Sequence, residues 1–156
     1  MNGLIIFFSR TGRTLKVAES IQKVTGFDLE QIREKDGRGG PIGWLKSGME
    51  STRKMIPQIM PLIHDPSQYD ITVLGTPIWA SNMSSPMRAF LTEYKSKIGS
   101  FAIFCTGDGV EPEKVFNSIS ELLGKVPLAT LGLIGPDRDE MVASSKIQEF
   151  VAELNN

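Results

Sequence analysis

The sequence is poor in the residues that metal centres and covalent catalysts need. Cys105 is the only cysteine and His64 the only histidine in 156 residues. A single thiol excludes an internal disulfide, a CxxC redox pair and an iron-sulfur cluster held by cysteines of this chain alone. A single imidazole in a proline-rich stretch gives no basis for a multi-histidine metal site or a Ser-His-Asp triad, so His64 reads as structural or solvent-exposed. Excess charge is lacking too. With 17 basic and 18 acidic residues the formal charge is -1, and no overall field favours nucleic acid or an anionic membrane surface. Long apolar runs are also missing. The first eight residues lack a basic segment before an apolar stretch, and residues 9–13 turn polar at once. Neither a signal peptide nor a membrane span is expected, and the natural address is cytoplasmic. The length suits one domain spanning residues 1–156.

What is present is an alternation of strand and helix patterns. Gly3-Leu4-Ile5-Ile6-Phe7-Phe8 is a continuous apolar run, as in a parallel strand covered on both faces. Leu15, Val17, Ala18, Ile21 and Val24 then recur at helical spacing. A weaker strand signal covers Phe27, Leu29, Gln31 and Ile32, flanked by charges as at a sheet edge. Residues 36–41 are turn-rich, residues 42–55 have the composition of a helix, and residues 56–69 carry Pro57, Pro61 and Pro66. A linker and a packing helix are the expected uses of this stretch, ahead of a lid. Strands are then expected over residues 70–75, 101–105 and 128–134, with helices over 85–97, 111–123 and 139–154. Five strands alternating with helices predict a three-layer α/β sandwich: a five-stranded parallel sheet in the order 2-1-3-4-5 with helices on both faces. Its topological switch lies between the first and third strands. The loops to examine are therefore residues 9–14, 76–84 and 106–110.

The first of these loops has the chemistry of an anion site. Ser9-Arg10-Thr11-Gly12-Arg13-Thr14 leads from a strand into a helix amino terminus, where free N–H groups and the helix dipole favour negative charge. Ser9, Thr11 and Thr14 each carry a hydroxyl, and Gly12 lets the backbone approach a ligand closely. The loop has neither the GxGxxG nor the GxxxxGK[ST] pattern, so a monophosphate is favoured over a dinucleotide or triphosphate. The plainer use of Ser9 and Thr11 is helix capping. Arg13 is weighed evenly between a phosphate contact and a solvated side chain, and Arg10 is expected to act through its backbone N–H. Two competing chemistries fail on residue type. A phosphatase loop needs Cys-x5-Arg, but Glu111 stands at the arginine position counted from Cys105, and Cys105 reads as a buried strand end. A phosphoacceptor receiver needs acidic residues after the first and third strands, where Ser9 and Thr76 stand.

Ser9-x-Thr11-Gly12-x-Thr14 after the first strand and Gly75-Thr76-Pro77-Ile78-Trp79 after the third resemble the FMN phosphate loop and a flavin-contact loop of the flavodoxin family. The helix Pro86-Met87-Arg88-Ala89-Phe90-Leu91 continues the likeness. The resemblance implies a flavodoxin-like fold of the short-chain type, since the last strand runs into Gly135-Pro136-Asp137 without a long insertion. It implies bound FMN. Thr76, Pro77, Ile78, Trp79, Ala80 and Asn82 would line one side of the isoalloxazine with Trp79 on its face or edge, and Thr106, Gly107 and Asp108 would approach its pyrimidine end. Two departures stand out. Ala80-Ser81-Asn82 replaces a stretch where many relatives carry a glycine whose peptide turns toward the reduced ring, and Asn82 is the residue there best suited to a positive φ. The chain is also nearly neutral where carriers that dock on basic partners are strongly acidic, which leaves Asp108, Glu111 and Glu113 as a local acidic patch.

The resemblance implies an electron carrier that shuttles between redox partner proteins or serves a small-molecule acceptor, as a monomer or weak dimer. The first alternative is an FMN-dependent NAD(P)H:quinone-type reductase with the same loops. The second is a non-redox module that binds a phosphorylated ligand. A flavin supplies the redox chemistry itself, so neither a catalytic acid-base pair nor a metal is expected.

Overall fold

A computed structural model describes residues 1–35, 56–109 and 111–156. Expectations for residues 36–55 lie outside the described residues. Strand β1 (Gly3–Phe7) is buried along its whole length, as its apolar run requires. Helix α1 (Arg13–Thr25) follows, burying Thr14, Val17, Ala18 and Ile21, and ends on Gly26 at φ 72°. That left-handed cap suits glycine, and its N–H returns to the Gln22 carbonyl. Strand β2 (Asp28–Gln31) is the half-exposed edge.

The central strand β3 (Ile71–Trp79) is longer than its apolar core. It continues through residues 76–79, which the sequence pattern leaves in a loop, and folds back onto the two-residue strand β4 (Asn82–Met83). Helix α2 (Ser85–Tyr94) begins at once, with the Ser84 hydroxyl accepting the Met87 N–H and Pro86 in the first turn. Strand β5 (Ser100–Gly107), helix α3 (Pro112–Leu123), strand β6 (Thr130–Ile134) and helix α4 (Glu140–Leu154) complete the chain. The sheet runs β2-β1-β3-β5-β6, with all pairs parallel, and β4 is an antiparallel appendage on β3. Counted by its parallel strands, this is the expected 2-1-3-4-5 order. The short antiparallel strand is an addition that the sequence reading did not contain.

Alternation along the strands divides the interior into two cores, because successive side chains point to opposite faces. Ile5, Phe7, Val73, Phe104 and Leu133 pack with Val17 and Ile21 of α1 and with Ile147, Phe150 and Leu154 of α4. Leu4, Ile6, Leu74, Ile103 and Cys105 pack on the other face with Met87, Phe90 and Leu91 of α2 and with Val115 and Ile119 of α3. Each fully buried aliphatic or aromatic side chain here contributes roughly 1.5 to 3 kcal/mol. Cys105 lies wholly inside, and burial, assisted by the nearby Glu113 carboxylate, pushes its thiol pKa up to about 12. It is a packing residue and not a nucleophile. Gly75 is fixed by the same close packing, since a Cβ there would lie 2.1 Å from the ring of Phe104.

Outside the sheet, Glu30 of β2 gathers the chain that approaches β3. Its carboxylate accepts the N–H groups of Ile63 and His64 at 2.6 and 2.8 Å and meets His64 Nδ1 at 2.6 Å. His64 is thereby a structural residue held against the edge strand.

Candidate functional site

The loop after β1 presents donors. Gly12 takes φ 95° and opens α1, while the Ser9 hydroxyl accepts the N–H groups of Gly12 and Leu15 at 3.1 and 3.3 Å. Ser9 thus performs the capping that its residue type also suits. Among the described residues no hydrogen bond occupies the backbone N–H groups of Thr11, Arg13 and Thr14. These first-turn donors, with the positive end of the helix dipole behind them, form an anion cradle. Arg10 Nε is buried there without a hydrogen-bond partner. The side chain as well as the backbone of Arg10 is therefore suited to an anion, which extends the sequence expectation. Thr14 Oγ1 lies 3.0 Å from Thr106 Oγ1 and joins the cradle to the end of β5.

The second element is the β3–β4 hairpin. Ile78 pairs with Met83 and Trp79 with Asn82, so Ala80 and Ser81 form the two-residue turn. Both are left-handed, at φ 49° and φ 61°. A two-residue hairpin turn of this kind needs positive φ at both central positions and usually draws Asn or Gly. The left-handed backbone therefore falls on Ala80 and Ser81, and the expectation that Asn82 would carry it is corrected. Asn82 lies in β4, where its Oδ1 accepts the Met83 N–H at 2.9 Å.

Thr76 is fully buried, and its hydroxyl serves the hairpin. It donates to the Pro77 carbonyl at 2.8 Å, lies 3.0 Å from Ser84 Oγ and accepts the Ser84 N–H at 3.0 Å. Trp79 is 8 % exposed and meets the Phe8 ring edge-on at a centroid distance of 5.4 Å. That contact fixes the indole from the core side.

The third loop closes the mouth. Asp108, after β5, receives Arg13 Nη1 at 3.1 Å and is also bonded by Arg138 Nη2. Arg138 sits in the turn after β6. Three loops at the carboxyl end of the sheet are thus joined through one carboxylate. The acidic patch expected around Asp108 is reduced by these two guanidiniums, and Glu111 pairs with Lys114 at 3.7 Å.

These loops surround one pocket of about 270 Å³. Arg10, Thr11, Arg13 and Thr14 form one wall, Pro77, Ile78, Trp79, Ala80 and Ser81 the second, and Thr106, Gly107 and Asp108 the third. Ser9, Gly12, Thr76 and Asn82, expected at the site, do not line the pocket. Ser81 lies within the loop 76–84 that the sequence singles out, whereas nothing in the sequence points to Arg138. The Ala-Ser turn carries no glycine to announce it, and Arg138 meets Asp108 only because β5 and β6 are neighbours.

The flavodoxin family model matches residues 2–133. The chain belongs to the flavodoxin family. Among solved structures, a flavoprotein in complex with FMN from Lactobacillus acidophilus is 19% identical at a TM-score of 0.75, covering 96% of this chain and 98% of that one. Oxidised flavodoxin 1 from Bacillus cereus is 16% identical at a TM-score of 0.60, covering 100% of this chain and 99% of that one. At such identities these likenesses show the shared fold. A comparison with curated proteins finds no match.

The walls of this flavodoxin pocket fit a phosphate monoester attached to a planar ring. The phosphate side is rich in donors: backbone N–H groups, hydroxyls and the Arg10 side chain, whose buried Nε has no partner. The opposite walls offer the Trp79 indole and the close backbone of Gly107. The carboxylate in the lining, Asp108, is held by two arginines. Among the described residues there is no group of three or more His, Cys, Asp or Glu placed to hold a metal, and no helix is long and apolar enough to cross a membrane.

Proposed function

We propose that this flavodoxin binds FMN without a covalent bond and carries electrons between redox partners in the cytoplasm. The observation that supports this reading is the convergence of the donor-rich wall of Arg10, Thr11, Arg13 and Thr14 with the hairpin of Trp79 and Ala80 around one pocket. FMN would supply the redox chemistry, accepting and releasing electrons on its ring. The protein's share is to hold, orient and partly cover it. The α1 amino terminus and Arg10 hold the phosphate dianion, to which each hydrogen bond is worth roughly 1.5 to 3 kcal/mol. Trp79, braced by Phe8, sets the plane against which the ring rests, and stacking of that kind adds about 0.5 to 1.5 kcal/mol beyond area burial. Gly107 allows the β5 loop to approach the ring's polar edge. Arg13 and Asp108, bonded to each other at the mouth, have side chains 60% and 66% exposed, so the pocket lies at the surface within reach of a partner.

A redox protein or a small acceptor would meet that opening, and a monomer or weak dimer is sufficient for it. The test is a titration of the purified protein with FMN, riboflavin and FAD, followed by rapid mixing with NADH and NADPH. Tight FMN binding with negligible reduction by either nicotinamide is expected, whereas rapid reduction would replace the carrier by a reductase. Arg10→Met should weaken FMN at least tenfold and leave riboflavin nearly unchanged. Equal losses for both ligands would count against the phosphate assignment.

A further inference from the structure

Arg88 is the charged side chain that the described residues bury most deeply. It is 9 % exposed, and neither its Nε nor its Nη2 has a hydrogen-bond partner. Its backbone is ordinary helix, with its N–H donating to the Ser84 carbonyl at 3.1 Å and its carbonyl accepting the Thr92 hydroxyl at 2.8 Å. Keeping two of the three guanidinium nitrogens from water without partners is unfavourable. A methionine or leucine in the same place would avoid that cost, so packing alone does not account for arginine. Burial pulls the guanidinium pKa below its ordinary value. Arginine nevertheless keeps its charge at neutral pH.

The position of this charge relates it to the pocket. Arg88 lies one turn into α2, and its Ser84 partner is tied through both N–H and Oγ to Thr76 Oγ1, each at 3.0 Å. Thr76 precedes Pro77, which lines the pocket. Side chains on a helix tend to lean toward its amino terminus, which for α2 is the end that joins this hairpin. Among the described residues no carboxylate neutralises it, whereas Arg13 and Arg138 are spent on Asp108. With Nε and Nη2 shielded from water, its field is screened less by solvent and salt than that of an exposed arginine.

We propose that Arg88 tunes the flavin electrostatically: its buried positive charge favours the reduced ring over the oxidised one and raises the reduction potential. This rests on the FMN reading above. Two-electron reduction places two electrons on the ring, and when a single proton from solvent follows, the ring keeps one negative charge. A nearby uncompensated cation stabilises that form and leaves the neutral oxidised ring almost unaffected. The unfavourable burial of Arg88 is then offset in the state that carries electrons.

The experiment compares wild type, Arg88→Met and Arg88→Lys, each reconstituted with FMN. It measures thermal midpoints without flavin, the Kd for oxidised FMN, and the two-electron midpoint potential by dithionite titration with reference dyes. Arg88→Met should melt at or above the wild-type temperature and bind oxidised FMN within about twofold of wild type. Its affinity for reduced FMN should fall about tenfold further, a drop of about 30 mV in the two-electron potential. Arg88→Lys should keep most of the wild-type potential, and the difference should persist in 1 M salt. An unchanged potential in Arg88→Met, or an equal fall in Arg88→Lys, overturns the proposal while leaving FMN binding intact. Failure of wild type itself to bind FMN overturns the functional reading instead. Should Arg88→Met fold poorly, Arg88→Gln supplies the same comparison.

Discussion

Thr14 Oγ1 and Thr106 Oγ1 lie 3.0 Å apart with both residues almost fully buried, so a single hydroxyl pair fastens the start of α1 to the end of β5. Replacing Thr106 alone by valine leaves the Thr14 hydroxyl buried without its partner, at a cost of about 1 to 3 kcal/mol. The double change Thr14→Val with Thr106→Val removes both polar groups and should recover most of that loss. Urea unfolding of the two single variants and the double variant measures the coupling, and additive losses would show that the pair is not a unit.

Gly75 is the tightest point of the central strand. Gly75→Ala drives a methyl group into the Phe104 ring, which is itself fully buried and has no solvent side to move toward. Overpacking of this kind costs roughly 1 to 3 kcal/mol. Adding Phe104→Leu to Gly75→Ala should restore part of the stability, and failure to do so would locate the strain elsewhere.

The left-handed turn at Ala80 and Ser81 holds strain that glycine would relieve. A non-glycine residue in this region costs about 1 to 2 kcal/mol, and the greater chain entropy lost by glycine returns roughly 0.5 to 1 kcal/mol of that. Ser81→Gly should therefore raise stability slightly, by about 0.5 to 1 kcal/mol. Thermal unfolding with and without FMN checks this, and a clear fall in melting temperature would argue that the serine hydroxyl has its own role.

Tyr69 donates its hydroxyl to Asp28 Oδ2 at 2.7 Å, and this bond to a carboxylate, with some burial, raises the phenol pKa from 10.0 to about 12. The folded-state value lies above the unfolded one, so the stabilisation is complete below pH 10 and is lost as pH rises from 10 to 12. Tyr69→Phe should flatten the decline in stability across that window. Chemical unfolding at several alkaline pH values tests it, and identical slopes for both proteins would contradict the assignment.

The parallel sheet is legible because its strands are short apolar runs bounded by polar loops, as in Leu4 to Phe7, and because α1 and α3 carry helical apolar spacing. The edge strand Asp28–Gln31 is harder to see, since only one part of it is covered. The extension of β3 and its return through β4 escape the sequence because Ala-Ser lacks the Asn-Gly signature of a tight hairpin turn. The phosphate loop and Trp79 are visible as residue types after the right strands. By contrast, Arg138 and Asp108 meet through sheet order, and Arg88 is written like any exposed helix arginine. The Ser9, Thr76 and Asn82 side chains are polar residues whose hydrogen bonds run inside their own loops, an arrangement that composition cannot distinguish from ligand contact.

The neighbours of β1 in the sheet come from unequal distances along the chain. Leu4 faces Asp28 on one side and Thr72 on the other. During synthesis the first strand, α1 and β2 can associate early, but one flank of Leu4, Ile5 and Ile6 stays uncovered until β3 has left the ribosome. Closing a loop of that length before its contacts form is what slows parallel sheets. The assembly step that seats β3 between β1 and β5 also brings together the loops of the pocket. The nascent chain therefore gains a place for its ligand only when its middle strand is in position.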